Sequence, residues 1–196
     1  MKILNLYAGI GGNRKLWGDE HKVMAVEYNQ SIADAYKQFF PNDTVIVGDA
    51  HEYLLKHFNE FDFIWSSPPC PSHSKMRKTN SGIGERKSPH TFPDMKLYEE
   101  IIFLKHFFKG KWVVENVIPY YEFLIKPTVI LNRHPFWSNF NIPEIKINSD
   151  FSILKSKRNI FNLDGVKLTK RKDQIHRNCI EPEMGLHILN CAMLKN

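Results

Sequence analysis

The sequence predicts an α/β fold in which a mostly parallel sheet is flanked by helices. Five apolar runs of strand length occur before residue 118, and helix-forming segments separate most of them. Strands that alternate with helices in this way are typical of a parallel sheet. Each run also ends in glycine, proline or polar residues, at the edge where such sheets bind ligands.

The predicted elements of the first half follow one another as strand-helix units. KILNLYAG ends in glycine, and GGNRKLW after it predicts a tight turn and then a helix. KVMAVEYN is followed by SIADAYKQFF, a helix that Asn29 or Ser31 can cap. TVIVGDA with HEYLLKHF repeats the unit, and FDFIWSSPPC predicts a fourth strand that runs into a loop stiffened by prolines.

The second half is less regular. MKLYEEIIFLKHFF has apolar residues at helical spacing, and KWVVENV predicts a fifth strand. VILNRHPFWSNFNI has the aromatic and β-branched residues of strands, residues 141–175 lack clear periodicity, and MGLHILNCAML is again helical. The polar stretch from Pro71 to about Asp94 is longer than an ordinary connection and predicts a functional loop.

Length and composition indicate one compact globular domain, with room for a small appendage. The chain has 196 residues, of which 42% are hydrophobic and 24% charged. No apolar run reaches the roughly 18 to 20 residues that cross a bilayer, and glycines interrupt the first run, so we expect neither a membrane protein nor a secreted one. Cys70, Cys179 and Cys191 lack metal-ligand spacing, which argues against a zinc site or a disulfide framework and favours the cytoplasm.

The charge of the chain suits a polyanionic partner. The formal net charge is +6. Between Lys146 and Arg177 there are nine basic residues and three acidic ones, a difference equal to the whole excess.

Three of the predicted strand ends suit a nucleoside ligand with a short amino-acid tail. Glycines 9, 11 and 12 permit a tight turn and a close approach of ligand to backbone. Glu27 closes the second strand, where a carboxylate can accept hydrogen bonds from both ribose hydroxyls, and Asp49 closes the third, where it can meet an adenine amino group. Ordinary turn glycines and surface acids remain the alternative interpretation.

Cys70 and Glu115 close the other two strands. Pro68, Pro69 and Pro71 exclude a regular helix or central strand around Cys70, which makes burial for packing alone an awkward explanation. Glu115 is either a solvated strand end or a carboxyl group that binds and protonates a ring nitrogen of a base. A thiol with a proton-handling carboxyl is the pair that attack at C6 of a pyrimidine requires.

Taken in order, these motifs resemble the cytosine C5-specific DNA methyltransferase family. NLYAGIGG resembles the cofactor-loop motif, VEYN the acidic ribose motif and GDA the adenine-contacting motif. SPPCPSHS resembles the nucleophile motif and ENV the glutamate motif. In the cofactor loop Tyr7 stands where phenylalanine is usual.

The resemblance implies a Rossmann-like class I methyltransferase fold that uses S-adenosyl-L-methionine and no metal. It implies that Cys70 attacks cytosine C6 and that Glu115 holds the N3 and N4 edge of a base flipped out of double-stranded DNA. The cofactor-binding residues that it implies are Tyr7, Ala8, Gly9, Ile10, Gly11, Gly12, Glu27, Tyr28, Asp49, Ala50, Pro69 and Asn178. The 71–94 loop would close over the base, and its basic residues, unless they are merely solvated, would contact phosphates: Lys75, Arg77, Lys78, Arg86 and Lys87.

The chain departs from the family pattern in several places. Pro71 follows the cysteine where glutamine is usual, and the Gln-x-Arg-x-Arg element has only Arg133 as its match, with KSKR at 155–158 as a competing location. Asn178 lies in RNCIEPEMG, which resembles the final family motif; it either closes the cofactor pocket or caps a helix.

The chain is also shorter than is usual in the family. We therefore expect a catalytic and cofactor-binding domain over residues 1–140, a reduced target-recognition region over 141–173, and a return to the catalytic domain over 174–196. We expect a monomeric bacterial or phage enzyme, and roles in restriction-modification, stand-alone methylation and phage protection stay open. A cytosine C5 methyltransferase acting on tRNA and a non-catalytic nucleic-acid-binding module of the same fold are the alternatives.

Overall fold

The computed structural model describes residues 1–75, 92–145, 160–169 and 171–194. Its strands are β1 (Lys2–Leu6), β2 (Lys22–Glu27), β3 (Thr44–Val47), β4 (Phe63–Ser66), β5 (Lys111–Glu115), β6 (Val129–Leu131) and β7 (His134–Ser138). Its helices are α1 (Gln30–Phe39), α2 (Ala50–His57), α3 (Lys96–Phe107), α4 (Lys172–Arg177) and α5 (Pro182–Met193), and a 3₁₀ turn covers Phe58–Glu60.

The strands form one seven-stranded sheet in the order β3-β2-β1-β4-β5-β7-β6. The pairs from β3 to β5 are parallel, whereas β7 runs antiparallel to both of its neighbours. The mostly parallel sheet with flanking helices is therefore confirmed. Its central strands are buried on both faces, which explains why they appear in the sequence as continuous apolar runs.

Helices and turns cover the two faces of the sheet. On one face, Ile3 and Trp65 pack with Trp17 and with Met184 and Ile188 of α5. The opposite face, covered by α2 and α3, buries Leu4, Ile64, Leu54, Leu97 and Leu104. No helix among the described residues is long and apolar enough to span a membrane.

The predicted helix at residues 11–17 is wrong. The segment is a series of turns in which amides donate to the carbonyl three residues earlier, as from Arg14 to Gly11 at 3.1 Å and from Trp17 to Arg14 at 3.0 Å. The last helix, α5, approaches this segment so closely that a Cβ on Gly185 would lie 2.1 Å from the carbonyl oxygen of Asn13. Packing against α5 thus overrides the helical preference of this segment and favours turns.

The other predicted elements agree with the structure to within a few residues. Of the two candidate caps, Asn29 caps α1, because its Oδ1 accepts the amide of Ile32 at 3.2 Å. The 129–142 segment forms the β6-β7 hairpin, which turns at Asn132 (φ 55°) and Arg133. Residues 160–169 pack against α1, where Phe161 stacks on Phe39 with ring centroids 4.4 Å apart.

Candidate active site

The loop that follows β1 has an unusual backbone shape. Tyr7 and Gly9 both have a φ of 56°, a value that is rare for a tyrosine. A Cβ on Gly9 would meet nothing within 4 Å, whereas a Cβ on Gly12 would lie 2.6 Å from Cβ of Cys179. The loop is therefore open at Gly9 and closely packed at Gly12, and Ile10 between them is fully buried.

Two carboxylates lie beside this loop, at the ends of β2 and β3. Oε2 of Glu27 accepts the amide of Gly9 at 3.0 Å, and Oε1 accepts the amide of Asn29 at 2.9 Å. Oδ1 of Asp49 caps α2, and Oδ2 lies 3.4 Å from Nζ of Lys96. Burial works to raise the pKa of Asp49, but amide hydrogen bonds and the Lys96 charge outweigh it and lower that pKa.

The residues present fit a nucleoside ligand of the S-adenosylmethionine type. Each Glu27 oxygen accepts one amide and so retains a lone pair for a ribose hydroxyl. The positions of a Cβ at Gly9 and at Gly48 are open, and the Tyr28 ring is 80% exposed. Gly48 also donates its amide to the Glu27 carbonyl at 3.2 Å, which brings the two strand ends together.

Asn178 lies at the end of α4, next to the residue that packs on the loop after β1. It is the exposed C-cap of α4, and its amide donates to the Gln174 carbonyl at 3.1 Å. It also directly precedes Cys179, which contacts the cofactor loop at Gly12. A helix cap and a position next to the loop are thus compatible.

The buried carboxylate of Glu100, which the sequence did not predict as a site residue, hydrogen-bonds to the same loop. Glu100 of α3 is fully buried, and its Oε1 accepts the hydroxyl of Tyr7 at 2.6 Å. Its Oε2 accepts the hydroxyl of Ser66 at 2.5 Å, and Nδ1 of His51 lies 3.0 Å from Oε1. A glutamate between Leu97 and Leu104, on the apolar face of the predicted helix, was the available signal.

The Glu100 carboxylate raises the pKa values of two neighbouring residues, Tyr7 and His51. Burial and the Glu100 charge raise the pKa of Tyr7 far above its usual value, so the hydroxyl stays protonated and donates. The hydrogen bond to Glu100 raises the pKa of His51, against the opposing effect of burial. Glu100 therefore joins the cofactor loop, the end of β4 and α2 in one polar network.

Cys70 lies in a tight turn after β4. Its carbonyl accepts the amides of His73 at 3.0 Å and Ser74 at 3.1 Å, and the residue is half-buried. The buried Asn116 donates from Nδ2 to the carbonyl of Pro68 at 3.0 Å. The Asn116 amide also donates to the carbonyl of Pro135 at 3.2 Å, so this one residue ties the turn at Cys70 and β7 to the end of β5.

Glu115 ends β5, the strand beside β4, and is 8% exposed. Burial and the nearby Glu115 charge both raise the pKa of the Cys70 thiol. The Cys70 thiol therefore holds its proton more tightly than a free cysteine does. A thiolate at Cys70 is thus repelled by the negative charge of Glu115.

His134, which the sequence analysis also missed, is the polar partner of Glu115. Its Nδ1 lies 2.7 Å from Oε1 of Glu115, and the two side chains are 19% and 10% exposed. Arg133, the predicted catalytic arginine, is the preceding residue and lies exposed in the hairpin turn. The signal in the sequence was slight, since His134 is distinguished only by its place next to Arg133.

Several predicted residues lie outside the described ranges. These are Arg77, Lys78, Arg86, Lys87 and the KSKR segment at 155–158. Lys75 is described and is exposed. Within the described ranges, no three histidine, cysteine, aspartate or glutamate side chains gather as metal ligands.

The first 118 residues match the sequence model of the C-5 cytosine-specific DNA methylase family. The chain belongs to this family. The match includes both Cys70 and Glu115 and ends before Arg133 and Asn178. The sheet order and the flanking helices are accordingly those of a Rossmann-like class I methyltransferase fold, in a family that methylates cytosine with S-adenosylmethionine.

Several solved structures are similar to this chain. The yhhF protein of Escherichia coli is 12% identical, with a TM-score of 0.45 over 70% of this chain and 73% of that one. A mutant of DNMT2 from Spodoptera frugiperda is 27% identical, with a TM-score of 0.39 over 59% of this chain and 35% of that one. A TehB-like SAM-dependent methyltransferase from Corynebacterium glutamicum is 20% identical, with a TM-score of 0.36 over 59% of this chain and 54% of that one.

The matches to the insect and Corynebacterium proteins thus span about a third and about half of their lengths. Comparison with curated protein sequences finds no match.

Proposed function

We propose that this methylase transfers a methyl group to C5 of cytosine in double-stranded DNA through a covalent bond between Cys70 and cytosine C6. The observation that carries the proposal is the pairing of a half-buried thiol with a carboxylate on the neighbouring strand end. The two residues follow neighbouring parallel strands, and the charge of Glu115 raises the pKa of Cys70. A module that only binds nucleic acid has no need of this pair.

The cofactor is held, in this proposal, by the loop at 7–12 and by the strand ends beside it. Glu27 accepts the ribose hydroxyls, Asp49 and Ala50 meet the adenine edge, and Tyr28 covers its face. Pro69 and Asn178 complete the pocket. When bound, S-adenosylmethionine supplies the methyl group that cytosine C5 takes up.

The chain's own residues handle the proton and the covalent bond. The proton of the Cys70 thiol passes to Glu115 as the sulfur bonds to C6, and Glu115 delivers a proton to N3, so the two residues together gain no net charge. Neutralisation of Glu115 removes one of the two causes that raise the pKa of Cys70. After methylation the C5 proton passes to solvent and the C5–C6 double bond forms again. The sulfur departs from C6 as a thiolate, and the proton of N3 returns to that thiolate through Glu115.

We propose DNA as the substrate because of the basic charge of the chain and the chemistry of the target base. The face of C6 is covered in stacked DNA, so the base has to be flipped out. Residues 1–140 form the catalytic and cofactor-binding domain of this proposal, 141–173 read the DNA and 174–196 return to the catalytic domain. The basic excess between Lys146 and Arg177 supports phosphate contacts there.

Labelled methyl transfer tests the proposal. Duplex DNA of mixed sequence and tRNA are incubated in parallel with methyl-labelled S-adenosylmethionine, using wild type, Cys70→Ala and Cys191→Ala. We expect 5-methylcytosine in DNA from wild type and Cys191→Ala, and less than about a thousandth of that rate from Cys70→Ala. Label in tRNA alone would favour the RNA alternative.

Trapping isolates the covalent step. On 5-fluorocytosine DNA the fluorine cannot leave C5 as the proton does, so the sulfur–C6 bond persists and the complex withstands denaturation. No adduct with either nucleic acid, together with wild-type label equal to that of Cys70→Ala, would overturn the proposal in favour of a binding module. Bisulfite sequencing of DNA from expressing cells would then give the sequence context of an active enzyme.

A further inference from the structure

His134 and Glu115 meet because β7 runs antiparallel to β5. Glu115 is the last residue of β5 and pairs with Phe136, so the first residue of β7 lies alongside the end of β5. The nearest atoms of the two side chains are Nδ1 of His134 and Oε1 of Glu115, 2.7 Å apart. Both side chains are largely shielded from water, at 19% and 10% exposed.

The direction of this hydrogen bond follows from chemistry. An ionised carboxylate can only accept, so Nδ1 of His134 carries the hydrogen and donates it to Oε1. A donor shared with a carboxylate makes a strong, short hydrogen bond, in agreement with the 2.7 Å distance. While Nδ1 carries this hydrogen, Oε1 is the oxygen of Glu115 that accepts, and a proton on the carboxyl group lies on Oε2.

Cytosine presents two different groups along one edge, namely an N3 that accepts and an N4 amino group that donates. A neutral carboxyl group matches this edge when one oxygen carries the hydrogen toward N3 and the other accepts from N4. A proton on the wrong oxygen would place two acceptors, or two donors, face to face. A carboxyl group without a second partner has no preference between its two oxygens.

We propose that His134 is a positioning residue for cytosine methylation, because its Nδ1–H holds Oε1 of Glu115 as the acceptor and so directs the proton to Oε2. As the sulfur of Cys70 bonds to C6, the proton on Oε2 passes to N3; when that bond breaks, N3 returns the proton to Oε2. In a chain with a single match to the family's paired arginines, a histidine thus orients the glutamate. This inference rests on the proposed function.

Replacement of His134 tests the inference through the difference between two variants. Asparagine can place its amide nitrogen where Nδ1 lies and donate to Oε1, whereas leucine cannot. We expect His134→Leu to lower kcat by about 10- to 100-fold, since a misdirected catalytic group loses its near-attack geometry. We expect His134→Asn to recover at least about tenfold of that loss.

A matched histidine-glutamate pair on the surface gives the control. Nδ1 of His57 also lies 2.7 Å from Oε1 of Glu60, in a pair that is 38% and 58% exposed. His57→Leu and His57→Asn should leave kcat unchanged. Cofactor affinity and the KM for DNA should stay within about twofold in every variant, because His134 acts through Glu115 and on a step after binding.

The outcomes separate the inference from the proposed function. Wild type without methylation or adduct overturns both. An active wild type with His134→Leu within about threefold of its kcat overturns the inference alone. The inference also fails if His134→Asn is as slow as His134→Leu, or if His134→Leu loses cofactor affinity and thermal stability in proportion to kcat, as a merely structural residue would.

Discussion

Cys70 is the nucleophile of the proposed reaction, and its surroundings raise the pKa of its thiol. Burial is the larger cause of the raised pKa of the thiol, and the Glu115 charge is the second. Below the raised pKa the thiolate fraction is smaller than that of a free cysteine at the same pH. The reactivity of Cys70 in the absence of a bound base should therefore be low near neutrality.

Alkylation of Cys70 measures this effect. The rate of its modification by iodoacetamide, followed by peptide mass spectrometry, should rise with pH through a midpoint above that of a free cysteine. Glu115→Gln removes the charge but not the burial, so its midpoint should fall yet remain above the free-thiol value. Cys191, whose pKa is raised by burial without a contribution from Glu115, is the internal control. A wild-type midpoint at the free-thiol value, or a rise in Glu115→Gln, would contradict this prediction.

Tyr7 shows how one hydroxyl can hold a strained loop. Its positive φ is uncommon for an aromatic residue, and its hydroxyl bonds to Glu100 at 2.6 Å. Such a conformation persists where the surroundings fix it. Phenylalanine, the usual residue of the family at this position, has no such hydroxyl.

Tyr7→Phe should therefore be less stable but still able to bind the cofactor. A hydrogen bond to a charged group contributes about 1.5–3 kcal/mol, and we expect a loss of that size in the free energy of unfolding. Tyr53→Phe is the control, since that hydroxyl contacts the weakly accepting sulfur of Met24. Urea unfolding and calorimetric titration with S-adenosylmethionine are the measurements. Unchanged stability would show that Glu100 does not hold the loop.

At the scale of elements, an ion pair in the core ties the turns after β1 to the segment before β3. The guanidinium of Arg14 donates two hydrogen bonds to Asp43, at 2.9 and 3.0 Å, and both residues are 2% exposed. The hydroxyl of Tyr36 in α1 donates to the same carboxylate at 2.7 Å. A buried pair of this kind contributes little by itself, but a broken pair leaves a charge without its partner.

Asp43→Asn should accordingly lower the free energy of unfolding by about 3–5 kcal/mol. Asp173→Asn provides the control, because Arg171 also binds Asp173 through two hydrogen bonds of 3.1 Å but does so in solvent. Its unfolding midpoint should not change. The double variant Arg14→Met/Asp43→Leu should lose less stability than Asp43→Asn, and a larger loss would refute this account of the pair.

The elements differ in how far the sequence could predict them. The strand ends of Cys70 and Glu115 could be located because central parallel strands leave continuous apolar runs that stop abruptly. The segment at 11–17 has helix-forming residues, yet α5, from the far end of the chain, packs against it and enforces turns. A local pattern contains no information about that distant contact.

At the scale of the whole molecule, the site combines residues of two kinds. Cys70, Glu115, Glu27 and Asp49 lie at strand ends, so their proximity follows from the parallel sheet that the sequence predicts. Glu100 and His134 reach the site from a helix and from an antiparallel strand, and their partners depend on register and packing. For this reason the sequence pointed to Arg133 alone, and the structure adds its neighbour His134 as a partner of Glu115.

Because β7 pairs with β5 in antiparallel fashion, the positions of Glu115 and His134 depend on the pairing of these two strands and not on the length of the later segments. Glu115 and His134 are fixed by the hydrogen-bond ladder between two strands, and the chain between them leaves the sheet and returns to it. Insertions or deletions beyond Ile142, which is itself buried in the core, need not disturb that ladder. Such a scaffold can exchange the segment proposed to read DNA over evolution, or in the laboratory, while Glu115 and His134 keep the same geometry.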